Sequence, residues 1–241
     1  MSKDDLKEYI KNQTPQKLKN FTVVDKTQTL QPFLIRIDKN PPDSFYPLMP
    51  YKATPGEDRT IPRISASLTI EDCIKGYGVF MGDVLSDKML VKKDKFKNGY
   101  VISKLDFDAC LIPDKTLVPN AFETNAIKTR EHWIVGYDKN HTSIKQKTIG
   151  KIVFVSLLME GLSDKNNDVT VVWYVEVTEP NGVYWNDEIL LSEGYHKLEV
   201  NQRWEPWQTL HTTISEKEFK EVKKVSAALL SLEHKPAFSK W

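Results

Sequence analysis

Ile152–Val177, IVFVSLLMEGLSDKNNDVTVVWYVEV, is the stretch that decides the fold class. Its two ends, Ile152–Leu158 and Val169–Val177, are dense in β-branched and aromatic residues, the composition of strands. The polar SDKNND between them reads as a turn. Asn181-Gly182 follows Val177 and is a hairpin-turn signal. Ile189–Leu191 and Tyr195–Val200 are predicted to pair beyond it. Further strands are predicted upstream at Phe21–Val24, Phe33–Asp38 (FLIRID), Arg63–Ser67, Tyr100–Phe107 and Glu131–Tyr137 (EHWIVGY).

Helices punctuate this β framework. Ser2 caps a short helix reaching about Asn12, with Asp5 as capping partner and Leu6, Tyr9 and Ile10 on one face. Thr69 begins a second helix, with Asp72 three residues on. Cys73 falls on its apolar side beside Ile70, Ile74 and Tyr77, and Gly76 and Gly78 mark its end. Ser215 and Glu218 open a third helix running to about Leu232, striped by Phe219, Val222, Val225 and Leu229. Pro41, Pro42, Pro47, Pro50 and Pro55 make the loop after Asp38 unfit for helix or central strand. The tail KPAFSKW reads as loose or as a terminal strand. The expected fold is α+β and mainly β: a mixed or antiparallel sheet core with an N-terminal helix, a short helix after residue 69 and a C-terminal helix. Proline-rich loops give way to long β runs near residue 145. That division predicts a region 1–145 and a β-rich region 146–241 carrying the last helix, packed as one unit.

Composition narrows the function classes. The chain has 241 residues, 40% of them hydrophobic and 28% charged. Lys plus Arg total 34 against 33 for Asp plus Glu, so no global charge draws it to nucleic acid or anionic lipid. The local run Lys92, Lys93, Lys95 and Lys97 reads as a solvated loop. MSKDDLKEYIKNQ has no apolar signal core, and no run of about eighteen apolar residues exists, so a cytoplasmic protein without a membrane span is expected. Cys73 and Cys110 are the only cysteines, far apart in sequence. They predict neither disulfide scaffold nor zinc knuckle. The histidines (His132, His141, His196, His211 and His234) lack H-x-x-x-H and H-E-x-x-H spacing. No metal is expected. G-x-S-x-G and the Gly-rich nucleotide loops are absent as well.

One segment has an order suited to a site: Gly56–Tyr77, GEDRTIPRISASLTIEDCIKGY. Glu57, Asp58 and Arg59 read as a polar turn, or as acids that orient Arg63 toward a ligand. Ser65 and Ser67 share a strand face, because side chains alternate. Downstream, Thr129, Glu131 and Trp133 form T-x-E-x-W. Glu131 alone reads equally well as a solvent-facing strand residue, and Arg36 as an edge-strand arginine paired with Asp38 or Glu57.

With Arg36 on an early strand, the order GED, T-x-P-R-I, S-x-x-I-x-x-C and T-x-E-x-W over residues 33 to 137 resembles a loosely defined family of phage and bacterial proteins. That family is similar to a divergent ADP-ribosyltransferase fold. The resemblance implies NAD as cofactor, with Arg36 on the phosphate, and Arg63 is a further candidate for binding it. It implies Ser65 or Ser67 beside the nicotinamide ribose, and Glu131 as the catalytic carboxylate. A guanidinium fork matches pyrophosphate. A carboxylate stabilises an anomeric carbon as its positive charge develops. The chain departs from the pattern at Thr129, where many such transferases carry Glu or Gln to position the acceptor. The departure turns the expectation toward nucleic-acid or small-molecule acceptors, NAD hydrolysis or an inactive site.

A second expectation comes from the aromatics. Trp173, Tyr174, Tyr184 and Trp185 read as β core. Arg203, Trp204 and Trp207 in NQRWEPWQT are the residue types that anchor protein interfaces. They, with the phage resemblance, predict a non-catalytic protein that grips a host protein, including a defence protein, or sequesters a nucleotide.

Overall fold

The structure is a computed structural model that describes residues 2–13, 15–38, 40–49, 56–76, 100–118, 129–135, 143–160, 168–201 and 207–232. The lysine run at 92–97, Gly78, His141, Arg203, Trp204, His234 and the KPAFSKW tail lie outside these residues.

The fold is mainly β, with three α-helices among the described residues, as expected. In chain order the elements are α1 (Lys3–Gln13), a 3-10 helix (Pro15–Asn20), β1 (Phe21–Asp25), β2 (Phe33–Asp38), β3 (Ser44–Phe45) and β4 (Arg63–Ala66). Then follow α2 (Ile70–Gly76), β5 (Tyr100–Asp106), β6 (Ala109–Pro113), β7 (His132–Val135), β8 (Ile144–Glu160) and β9 (Asp168–Val177). The chain continues through β10 (Val183–Tyr184), β11 (Leu190–Leu191), β12 (Gly194–Asn201), β13 (Gln208–Ile214) and α3 (Glu216–Leu232).

The capping signals act where the sequence puts them. Ser2 Oγ accepts from the Asp5 amide at 3.2 Å while Asp5 Oδ2 accepts from the Ser2 amide at 3.2 Å. Thr69 Oγ1 accepts from the Asp72 amide at 3.2 Å, and Ser215 Oγ from the Glu218 amide at 3.2 Å. Each bond satisfies an amide that the first helical turn leaves without a partner.

Two sheets carry the site. The small one has four strands in the order β1-β6-β7-β4, and the large one has seven, ordered β13-β12-β9-β8-β5-β2 with β3 added beside β8. Both are antiparallel throughout their printed pairings. Strand β8 itself crosses residue 145, so the large sheet combines β2, β3 and β5 with the later strands.

Side-chain alternation sorts the core. Leu34, Leu105 and Phe107 from the large sheet meet Ile64, Ala66, Cys110 and Ile134 from the small one. Leu6 and Ile10 of α1 close the small sheet's other face over Leu111, Trp133 and Val135. On the opposite face of the large sheet, Ile35, Ile102 and Val175 pack with Ile70 and Ile74 of α2 and with Trp185 and Leu191. Phe219 of α3 packs on Val153, Val172 and Tyr174.

Two local expectations change. β11 pairs with β10, whereas β12 pairs with β9 and β13, so Ile189–Leu191 and Tyr195–Val200 are not partners. The reason lies in Asn186, whose Oδ1 accepts from the Glu188 and Ile189 amides and folds β10 and β11 into their own small hairpin. Asn181-Gly182 does turn the chain, with the Gly182 amide donating to the Glu179 carbonyl at 2.9 Å. Gly182 has φ 73°, and a Cβ there would meet the Leu191 carbonyl oxygen at 2.5 Å, so only glycine fits. The turn leads into β10 rather than back along β9.

Candidate functional site: the seam around strand 4

β4 lies at one end of the small sheet, beside β7, with Ser65 opposite Trp133. On its outer side, Ser67 exchanges backbone hydrogen bonds with Ile35 of β2, at 2.7 and 2.9 Å. This bridge brings the two sheets together, and with them most of the residues singled out in the sequence.

Arg36 reaches β4 from the edge of the large sheet. Its Nη1 donates to the Ser65 carbonyl at 2.8 Å. Nε and Nη2 donate to the two carboxylate oxygens of Asp38, at 2.8 and 3.2 Å. The guanidinium also lies 5.1 Å from the Phe45 ring centroid. Arg36 is therefore the edge-strand arginine paired with Asp38. A phosphate could take the fork only by displacing Asp38.

Glu131 approaches Ser65 from the other side. Its Oε1 accepts from Trp133 Nε1 at 2.9 Å, and the Ser65 hydroxyl acts on its carboxylate to favour the charged form. It is partly buried, not a solvent-facing strand residue. Burial pushes its carboxyl above the ordinary glutamate value. Hydrogen bonds from Ser65 and Trp133 and the charge of Arg63 act against that shift, while Glu57 adds to it. The guanidinium that Glu131 feels most is thus Arg63.

Arg63 is a buried prop. Its side chain is 2% exposed and lies 3.8 Å over the Trp133 ring. Nη2 pairs with Glu57, and Nη1 donates to the Asp58 carbonyl at 2.8 Å. Nε is buried with no hydrogen-bond partner among the described residues. The acids of the GED turn do orient Arg63, but they turn it onto Trp133. Asp58 is itself tied down: Lys17 pairs with it, and it accepts from the Thr60 and Ile61 amides at 2.9 and 3.1 Å. Burial raises the Asp58 carboxyl, but the bonds from Lys17 and Thr60 outweigh it and hold the group below its ordinary value.

Ser67 is buried, and its hydroxyl donates to the Thr129 carbonyl at 3.3 Å. Cys73 donates from Sγ to the Ile35 carbonyl at 3.2 Å, and burial raises its pKa. Burial likewise pushes Cys110 up to about 12, so neither thiol is poised as a nucleophile.

The sequence reading missed Arg130. It has φ 43°, a left-handed backbone that is uncommon for a residue with a side chain. Its carbonyl accepts from His132 Nδ1 at 2.6 Å. Nε and Nη2 donate to Asp72 Oδ2 at 2.9 and 2.6 Å, and Nη1 donates to both Asp187 oxygens at 2.6 Å. Arg130 thus pins the residue before Glu131 to α2 and to the β10–β11 hairpin.

Of the interface candidates, Trp207 is described. It packs half-buried against the large sheet's core, with Lys75 Nζ 4.9 Å from its ring centroid. Arg203 and Trp204 lie outside the described residues. Among the described residues no group of three or more His, Cys, Asp or Glu could hold a metal ion, and no helix is long and apolar enough to cross a membrane.

The seam thus joins Arg36, Ser65 and Glu131 in series and stacks Arg63 on the Trp133 that holds Glu131. No family model, curated protein or solved structure matches this chain.

Proposed function

We propose that this protein binds NAD or a related nucleotide at the β4 seam and transfers or hydrolyses its ADP-ribosyl group. The observation that carries this reading is Ser65, whose carbonyl is held by Arg36 and whose hydroxyl meets Glu131. A nucleotide lying along β4 would put its pyrophosphate at Arg36, in place of Asp38, and its nicotinamide ribose near Ser65. The bond between the ribose anomeric carbon and nicotinamide nitrogen breaks, and nicotinamide leaves with the electron pair. The Glu131 carboxylate stabilises the cationic ribosyl carbon until water or another acceptor attacks it. Buried Arg63 helps keep that carboxylate charged. Thr129 leaves the acceptor side without an acid, which favours water or a small acceptor.

Titration calorimetry with NAD tests the binding. Asp38→Asn frees the Arg36 fork of its internal rival, so it tightens binding by a few-fold or more. Arg36→Lys removes the planar fork and weakens it. Equal affinities in all three proteins, or no binding, contradict the reading.

A second reading is a non-catalytic, phage-encoded protein that docks on a host protein. Tyr46, Leu48 and Met49 favour it: they are 48%, 65% and 49% exposed within four consecutive residues beside β4. Absence of NAD binding together with stable capture of a host protein, lost in Leu48→Lys, would select it.

A further inference from the structure

Besides the two-residue β3, the small and large sheets end in four outer strands: β1 and β4 in the small sheet, β2 and β13 in the large one. Three of them are protected. Leu48 bridges the outside of β4 through paired backbone hydrogen bonds with Arg63 at 3.0 and 3.2 Å. Ser67 bridges the outside of β2, which also carries the Arg36–Asp38 ion pair. β1 is five residues long, ends on Asp25 and lies against α1.

β13 has none of these devices. It runs for seven residues, Gln208–Ile214, as QTLHTTI, with no charge, proline or glycine. Its register with β12 is unbroken from Gln208↔Asn201 to Ile214↔Tyr195, so no bulge twists it away. No described residue pairs with its outer side. Proteins blunt such edges because their unpaired amides and carbonyls template another strand.

We propose that β13 pairs antiparallel with β13 of a second copy of this chain, about a two-fold axis near His211, so that the two large sheets form one. Self-pairing of an uncharged strand sets no like charges opposite each other. A two-fold arrangement uses each outer edge once and closes. The pairing also covers the most exposed apolar residue of the hairpin. Leu210 is 63% exposed and shares a sheet face with Thr212 and Ile214. About that axis it lies opposite the partner's Thr212 and diagonal to the partner's Ile214, within reach of contact.

Sedimentation equilibrium of the full chain, from low micromolar to sub-millimolar concentration, tests this. Wild type is expected to pass from one chain mass to twice that mass. Thr212→Lys and Leu210→Lys place an ammonium at the pairing line from exposed positions, so the chain still folds, with an unchanged far-ultraviolet spectrum. Each should weaken association at least about tenfold, since the two introduced lysines lie diagonal to one another across the axis and juxtaposed like charges disfavour an interface. Leu48→Lys, at the exposed patch beside β4, should dimerise as wild type does. A wild type that stays monomeric throughout, a dimer indifferent to both β13 lysines, or open-ended assembly beyond two copies would overturn the proposal.

Discussion

Around β4 the protein buries charge: Arg63, Glu57, Glu131, Asp58 and Lys17 are tied to one another, to backbone amides and to Trp133. At the far end of the large sheet, the β12–β13 hairpin does the reverse. It keeps no ion pair across its strands among the described residues, joins buried His196 to partly exposed His211 and leaves a strand edge open. A buried ionic lattice adds little net stability over apolar packing but is costly to break at one member. A hairpin with no ion pair across its strands is tolerant of substitution but sensitive to the protonation of its two rings. The seam is thus an interlocked ionic lattice, and the hairpin end is an open edge.

The largest test of that contrast is Arg63→Met. It leaves Glu57 and Glu131 without their cation under Trp133, and urea unfolding should show a loss of roughly 3–5 kcal/mol. A loss under about 1 kcal/mol would mean that the lattice is not interdependent.

Arg130 gives the next effect. Arg130→Ala strips Asp72, which is 4% exposed, of its ion pair, at a cost of about 2 kcal/mol. Arg130→Gly loses the same pair but accepts the positive φ, so it should recover roughly 1 kcal/mol of that loss. Equal stabilities for the two variants would show that the left-handed backbone carries no strain.

The pH responses of the two regions oppose each other. Glu131 has a folded pKa above its ordinary value of 4.5, so the folded state holds its proton more tightly than the unfolded chain does. Its contribution is fully present below that ordinary value and is lost as pH rises through the folded one. Glu131→Gln should therefore raise the melting temperature at neutral pH, and the gain should vanish below pH 4.5. His196 and His211 behave in the opposite sense. His196 Nε2 donates to the Ser192 carbonyl at 2.8 Å, so its Nδ1 accepts from His211 Nε2 at 3.0 Å. A further proton on His196 Nδ1 would set donor against donor. Burial lowers both histidines below their ordinary 6.5, and the His196 neighbour lowers His211 further. Stability from the pair is present above 6.5 and lost as pH falls through the folded values. Hydrogen exchange of β12 and β13 amides should quicken below pH 6.5.

The smallest expected effect is Leu210→Thr, within about 0.5 kcal/mol for the monomer, because an exposed edge position contributes little packing. A larger loss would mean that Leu210 has a covered environment within one chain.

What was legible in the sequence was local. Ser2, Thr69 and Ser215 announced three helices through partners three residues away, and the branched runs of β8 and β9 announced the large sheet's middle. β13 was not legible, because its inward residues are polar: Thr209 accepts from Trp185 Nε1 at 3.4 Å and His211 donates to His196 Nδ1 at 3.0 Å. No apolar alternation marks such a strand. The first half of β8, IKQKT, failed for the same reason. In the candidate site, Arg36, Ser65, Arg63 and Glu131 could be singled out from their order along the chain. Arg130 could not, since its partners Asp72 and Asp187 lie 58 and 57 residues away. The role of Arg63 needed the ring of Trp133 in place before it could be read.

Release of nicotinamide from NAD tests the central claim most directly, using wild type, Glu131→Gln and Arg36→Lys side by side. The account predicts turnover by wild type, loss of turnover with retained NAD binding in Glu131→Gln, and weakened binding in Arg36→Lys. Turnover that survives Glu131→Gln, or a wild type that neither binds nor cleaves NAD, would contradict it.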